Sequence, residues 1–331
     1  MPDLNLECEL LRKELEFIAD FWIGMGVDGF RMDAALHFEE NNSVFNNEVL
    51  NWLYSHCKES NPDFYMVSEV WSGSADIATY YGSMTPSMFN FDTASAEGIL
   101  AKCARGTVMA ENLIDKMIYY QEQFSAKNPD YIDAPFLSNH DQVRISNSLA
   151  NNEEQLKMAA GMLLMMNGSP FVYYGEEIGM ASKGTKDENK RIAMYWSETD
   201  ATGITRGPMN AERGIKSAFE AADEQLKDGH SLLNYYRRAL RLRNENPEIA
   251  RGTVAKIDSL CEGYAAALTK TWEGSTIAVL YNNGDTELTI DINGSGIEGM
   301  KIRGYLTLNG EEITLKDGVV TMPKKSICIL K

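Results

Sequence analysis

Three apolar, strand-like runs in this chain each close on a carboxylate, and helical patterns separate them. The runs are Gly29-Phe30-Arg31-Met32-Asp33, Ser68-Glu69-Val70-Trp71 and Phe136-Leu137-Ser138-Asn139-His140-Asp141. One such carboxylate says little, because Asp and Glu are ordinary loop residues. Three at the ends of successive strands suit the C-terminal face of a β/α barrel, where the loops after parallel strands meet over one site. Cleaving a glycosidic bond with retention needs two carboxyl groups about 5 to 5.5 Å apart across the anomeric carbon, and adjacent barrel strands supply that spacing.

The intervening sequence fits the same plan. Leu11, Leu15, Ile18 and Trp22 recur at helical spacing, which predicts an amphipathic helix over 9–23 ended by Gly24 and Gly26. A strand from Val27 to Met32 follows, then a helix through Val49, Trp52 and Leu53, then a strand from Phe64 to Ser68. Met88–Phe91 reads as a short strand, and Leu113, Met117, Tyr120 and Phe124 mark a long helix. Ala134–Leu137 reads as a strand, 153–166 as a helix, Ser169–Tyr174 as a strand, and Leu232, Tyr236 and Leu240 as the face of a last helix. From about residue 250 the period changes from helical to alternating. Short strands are expected at Ile277–Tyr281, Leu288–Ile292, Tyr305–Leu308, Ile313–Leu315, Val319–Met322 and Ile327–Leu330, with Asn309-Gly310 and Asp317-Gly318 as hairpin turns. Two domains are expected, a barrel portion over 1–249 and an all-β domain over 250–331.

Composition narrows the partners. With 48 acidic against 31 basic residues the net charge is −17, which opposes binding to nucleic acid or anionic lipid and leaves a neutral polysaccharide as the easier partner. No stretch reaches the roughly 18 apolar residues that a membrane span requires. Cys8, Cys57, Cys103, Cys261 and Cys328 are scattered without CxxC spacing, so buried free thiols are expected rather than a zinc site or a disulfide framework.

The wording of the three segments, GFRMD, then SEVW, then FLSNHD, resembles the second, third and fourth signatures of the α-amylase family of retaining glycoside hydrolases (glycoside hydrolase family 13), and Met1-Pro2-Asp3-Leu4-Asn5 resembles the family's MPDLN signature. The resemblance implies that the three carboxylate strands are barrel strands four, five and seven. It also implies a partial (β/α)8 barrel of strands four to eight, followed by an antiparallel β-sandwich, with about half of the barrel expected ahead of Met1. An open barrel of this kind is expected to be nearly inactive alone, and to pair with the missing half or with itself through its exposed strand edges.

By the same resemblance Asp33 is the nucleophile, Glu69 the acid and then base, and Asp141 the third carboxylate, which binds the sugar at the cleaved residue together with His140. Arg31 lies two residues before Asp33, hence on the same face of its strand, where its cation keeps Asp33 ionised or forms a purely structural ion pair. Glu69 must hold its proton in the resting complex, so a dry and less compensated environment is expected for it. His37 is placed either for substrate contact or as scaffold, since Leu36 stands where amylases often carry Lys. Trp71 is either a sugar platform or core packing. Tyr173-Tyr174-Gly175-Glu176-Glu177 resembles a mainly structural family stretch, and Arg191 with Met194-Tyr195-Trp196 resembles an RxPMxW pattern in which Ala193 replaces the proline. The run Lys186-Asp187-Glu188-Asn189 reads as a solvated loop.

The family's structural calcium is held partly by the backbone carbonyl of the residue matching His37, so calcium is implied for the complete enzyme. Ala34 after the nucleophile and MPDLN rather than QPDLN imply α-1,4 cleavage of starch or maltodextrins. Cyclomaltodextrinase, oligo-1,6-glucosidase and transglycosylase activities are the alternatives on the same fold, and a non-catalytic amylase-like glucan-binding protein is the alternative from another class. A starch-degrading parent implies an extracellular or cell-surface site of action.

Overall fold

The computed structural model describes residues 4–184, 186–212 and 217–331. Met1, Pro2 and Asp3 of the MPDLN stretch lie outside the described residues. The chain divides into two compact units, one taking the chain up to Phe91 together with Tyr120–Ala134, the other taking Asp92–Tyr119 and Pro135–Lys331.

The first unit opens with helix α1 (Glu9–Gly24), strand β1 (Gly29–Met32), helix α2 (Ser43–Ser60), β2 (Tyr65–Ser68) and, after a short helix over Ser74–Tyr80, β3 (Ser87–Asn90). β1 and β2 run parallel with Gly29 opposite Tyr65 and Met32 opposite Ser68, and β3 is parallel to β2. A short β4 (Ala134–Pro135) completes the sheet order β1-β2-β3-β4. Gly29 is needed where it stands, because a Cβ there would collide with the Tyr65 carbonyl. Ala19, Leu53, Cys57, Phe64 and Met66 form the core between these helices and strands, flanked by Ile23, Phe30, Met32, Trp52 and Tyr54.

The buried stripe of α1 differs from the expected one. Ile18 and Trp22 are about half exposed, at 50% and 49%, with Phe17 and Phe21 beside them at 69% and 54%. The face turned to α2 is instead Arg12, Glu16, Ala19 and Ile23, with the same period displaced by one residue. Arg12 pairs with both oxygens of Glu48 at 2.6 and 2.7 Å and lies over the Trp52 ring, while Glu16 accepts from Trp52 Nε1 at 2.8 Å. Polar contacts chose the face, so an apolar stripe was left outward.

In the second unit Phe136 and Phe171 meet in a single parallel bridge. The expected strands Ala134–Leu137 and Ser169–Tyr174 are thus reduced to Ala134–Pro135 and to this bridge. Pro135 and Pro170 remove ladder donors at both positions, although the Phe171 N–H still reaches the Pro135 carbonyl at 2.9 Å. Helices Glu153–Leu164 and Leu232–Glu245 follow, and eight strands complete the chain: β5 (Thr253–Lys256), β6 (Ala265–Trp272), β7 (Ser275–Asn282), β8 (Leu288–Asp291), β9 (Ile302–Leu306), β10 (Thr314–Lys316), β11 (Val319–Met322) and β12 (Ser326–Leu330). They form two antiparallel sheets, β5-β6-β7-β12-β9 and β10-β11-β8. One hydrophobic cluster draws on both, including Ala267, Leu280, Ile290, Val320, Met322 and Leu330.

Asp317-Gly318 is the expected hairpin turn between β10 and β11, with φ of 53° and 81°. Asn309-Gly310 is not a hairpin turn, because β9 and β10 belong to different sheets. Glu273-Gly274, with φ of 49° and 79°, makes the β6–β7 hairpin instead.

Two buried cations tie the helix Glu153–Leu164 to its surroundings. Arg243 donates to the carbonyls of Leu164, Met166 and Gly168 at 2.7, 2.6 and 2.5 Å. Lys270, on β6 and fully buried, donates to Met165 O, Asn167 Oδ1 and Ile249 O at 2.8, 2.7 and 2.7 Å. Carbonyls at a helix C-terminus lack intrahelical partners and carry partial negative charge, so cations are well placed there. Burial pushes the Arg243 guanidinium down to about 10 and the Lys270 ammonium well below its ordinary value. Of the cysteines, Cys57, Cys103 and Cys328 are buried free thiols as expected, Cys261 is half-buried, and Cys8 is exposed. Among the described residues no helix is long and apolar enough to cross a membrane.

Candidate active site

In the first unit the site is built on the ends of β1 and β2. Arg31 sits on β1, and Asp33 stands one residue past its end. The alternation of a strand puts both on one face, and Arg31 Nη1 donates to Asp33 Oδ1 at 2.5 Å. The other terminal nitrogen, Nη2, donates to Glu69 Oε1 at 2.7 Å. One guanidinium fork therefore lies between the two carboxylates. Their nearest oxygens are separated by no more than two hydrogen bonds and the width of that fork.

The backbone then locks Glu69 to the end of β1. The Glu69 N–H donates to Met32 O, the Ala35 N–H donates to Glu69 O, both at 2.9 Å, and the Ala34 N–H reaches Glu69 Oε2 at 3.2 Å. This last contact requires Ala34 in the left-handed region, at φ 46° and ψ 40°, a conformation that a residue with a Cβ adopts at some cost. Water reaches the two carboxylates unequally. The Asp33 side chain is 78% exposed and that of Glu69 only 8%. Glu69 is dry, as expected, but it is not poorly compensated, because the arginine beside Asp33 reaches it as well.

His37 and Trp71 lie on the same strand-end loops. His37 Nδ1 meets Glu40 Oε1 at 2.7 Å with the ring about half exposed. Trp71 stacks on Phe91 with centroids 5.0 Å apart and an interplanar angle of 20°, leaving the residue 48% exposed. Packing thus takes one face of the indole while about half of the residue stays open, so both readings of Trp71 describe part of it.

In the second unit the stretch after Phe136 carries the other two residues. His140 Nε2 and Asp141 Oδ2 are 3.0 Å apart. Arg191, known from the sequence only through its weak RxPMxW setting, donates from Nη2 to Asp141 Oδ1 at 2.5 Å and from Nε to the His140 carbonyl at 3.1 Å. Lys190 Nζ donates to the Asp141 carbonyl at 2.7 Å and to Asp187 Oδ1 at 2.8 Å. The run before Arg191 is therefore only partly a solvated loop. Asn189 and Lys190 are buried, and Lys190 holds the Asp187 carboxyl below its ordinary range.

Behind this pair lies Glu176, fully enclosed, which accepts from Ser138 Oγ at 3.2 Å and from Tyr236 Oη at 2.9 Å. Burial pushes its carboxyl up to about 8 despite both hydroxyls. At neutral pH it is mostly a neutral acid that holds Ser138 in the segment leading into His140 and Asp141.

Among the described residues no group of three or more His, Cys, Asp or Glu side chains is placed to hold a metal.

At these strand ends a buried and an exposed carboxyl group thus share one guanidinium. A family model described as alpha amylase, catalytic domain, matches residues 1–252, and the chain belongs to that family. It is 33% identical over 297 residues to Alpha-amylase 3 of Dictyoglomus thermophilum, covering 88% of this chain and 57% of that enzyme. Against Alpha-amylase SusG of Bacteroides thetaiotaomicron the identity is 32%, over 88% of this chain and 42% of SusG. Among solved structures, Eubacterium rectale Amy13B superposes with a TM-score of 0.95 at 35% identity, over 100% of this chain and 65% of Amy13B. The chain thus spans about two fifths to two thirds of the length of these relatives. Other relatives, at 24–26% identity, bear the names 4-alpha-glucanotransferase, Neopullulanase 2 and Glucan 1,6-alpha-glucosidase.

Proposed function

We propose that this chain carries the nucleophile and the acid/base of a retaining α-1,4-glucan hydrolase acting on starch or maltodextrins. The observation that carries the proposal is the Arg31 fork between Asp33 and Glu69. Asp33, exposed and paired with a cation, is suited to attack the anomeric carbon as a carboxylate. Glu69, in a dry setting, is suited to protonate the leaving oxygen and then to draw a proton from water. Asp141, with His140 and Arg191 on it, holds the hydroxyls of the cleaved sugar. Ala34 directly after the nucleophile favours α-1,4 over α-1,6 linkages. We read β1 to β4 as part of an eight-stranded barrel and the two antiparallel sheets as the sandwich that follows it. The outward apolar face of α1, beside the outer strand β1, is then where further strand-helix units of the barrel pack.

Replacing Glu69 by Gln in the active enzyme removes the transferable proton and keeps the shape. Reducing-sugar release from maltotetraose is expected to fall at least about a hundredfold, while retardation on amylopectin in an affinity gel stays unchanged. Turnover at the parent rate refutes the assignment.

A further inference from the structure

Among the described residues Arg144 is the largest fully buried side chain, 1% exposed, and it stands three residues after Asp141. Among the described residues no carboxylate lies within ion-pair distance of it; Glu176 and Glu177 are its acidic neighbours at longer range. Instead it joins three segments. Its backbone N–H donates to Ser182 Oγ at 3.3 Å, Nη1 donates to the Tyr174 carbonyl at 2.6 Å, and Nε donates to the Lys190 carbonyl at 3.1 Å. The guanidinium lies 4.5 Å from the Tyr173 ring centroid and 4.7 Å from that of Tyr174. Tyr173 Oη donates to the same Lys190 carbonyl at 3.1 Å, and Tyr174 Oη to the Ile192 carbonyl at 2.7 Å.

An unpaired buried guanidinium is expensive, and burial depresses its proton affinity. A structural filler needs no charge. What a guanidinium adds is a rigid planar fork that donates in fixed directions while its faces rest on aromatic rings. Here Nε of the fork and both tyrosine hydroxyls converge on the backbone of 190–192, while Nη1 holds the Tyr174 carbonyl and Nη2 has no hydrogen-bond partner among the described residues. The residue held between those anchors is Arg191, whose own guanidinium occupies Asp141.

We propose that Arg144 is a positioning residue: by gripping the Lys190 carbonyl from beneath, it keeps Arg191 seated on Asp141, and so fixes the orientation of the third carboxylate. The inference rests on the reading of Asp141 as a sugar-binding carboxylate only for its kinetic consequence. The positional part stands apart from it.

The test uses the full chain and the variants Arg144→Met, Arg144→Lys and Arg191→Gln. In Arg144→Met, amide exchange over 187–192 is expected to quicken at least about tenfold while the helix Glu153–Leu164 keeps its protection. The ¹³C resonance of the Asp141 carboxylate is expected to move to the position it takes in Arg191→Gln. Arg144→Lys, which keeps the charge but loses the fork, is expected to behave like Arg144→Met. An Asp141 resonance unchanged in Arg144→Met, or exchange that quickens equally throughout the second unit, overturns the inference, because Arg144 would then serve packing alone. In the active enzyme a misplaced Asp141 is expected to lower kcat on maltodextrin about a hundredfold with KM little changed. If the resonance moves and kcat does not, the positioning stands and the role given to Asp141 fails.

Discussion

Glu176→Gln is expected to change the sign of its effect on stability between acid and alkaline pH. In the folded chain the Glu176 carboxyl holds its proton up to about 8, against an ordinary value of 4.5, because burial outweighs its two hydroxyl donors. In the unfolded chain it ionises near the ordinary value. Between the two, unfolding releases a proton, so the contribution of Glu176 is fully present below about pH 4.5 and is lost as pH rises to about 8. At about 1.4 kcal/mol for each tenfold of proton affinity, the interval from 4.5 to about 8 removes about 5 kcal/mol. Gln cannot ionise and escapes this loss, but its amide nitrogen replaces an oxygen that now accepts from Ser138 or Tyr236, a mismatch of about 1 kcal/mol. The variant should therefore be about 1 kcal/mol less stable than the parent at about pH 3.5 and about 4 kcal/mol more stable at about pH 8.5. Urea unfolding at about pH 3.5, 6 and 8.5, followed by tryptophan fluorescence, measures both ends. A stability difference that stays constant across that range refutes the argument.

Two further outcomes follow from the packing. Arg243→Met strands three carbonyls that share one guanidinium; it should lower the urea-unfolding free energy by at least about 3 kcal/mol, since each buried group left unpaired costs about 1–3 kcal/mol. Phe17→Ser combined with Trp22→Ser removes apolar surface that is 69% and 49% exposed; self-association seen by light scattering should fall while stability changes by less than about 0.5 kcal/mol per substitution.

The carboxylates proposed to react stand at strand ends, and a strand end followed by a loop leaves a local trace in the sequence. Arg31 and Asp33 at i and i+2 form a local relation, and the structure keeps it. Lys190 and Arg191 reach Asp141 across some fifty residues of chain, and no spacing rule joins such partners. Arg144 was invisible for a related reason: a charged residue in a polar motif reads as surface, whereas here two aromatic rings and two carbonyls take it inside. The strand β6 was missed because Ala265-Ala266-Ala267 favours helix and the buried Lys270 breaks the apolar alternation, so sheet pairing overrode local preference. On α1 the period was right and the face was wrong, since the Arg12–Glu48 and Glu16–Trp52 contacts that orient it depend on a neighbouring helix.

The grip of Lys270 and Arg243 on the end of the helix Glu153–Leu164 bears on how such enzymes are dismantled and recombined. A cut after Ile249 looks natural in the sequence, where helical patterning gives way to strands. It would nevertheless carry off Lys270, the donor to Met165, Asn167 and Ile249, leaving acceptors dry and unanswered inside the remaining piece. The β strands are in this respect part of the foundation of the catalytic portion. Exchanging them for a foreign module should preserve folding only where the incoming module brings its own buried cation to the same three acceptors.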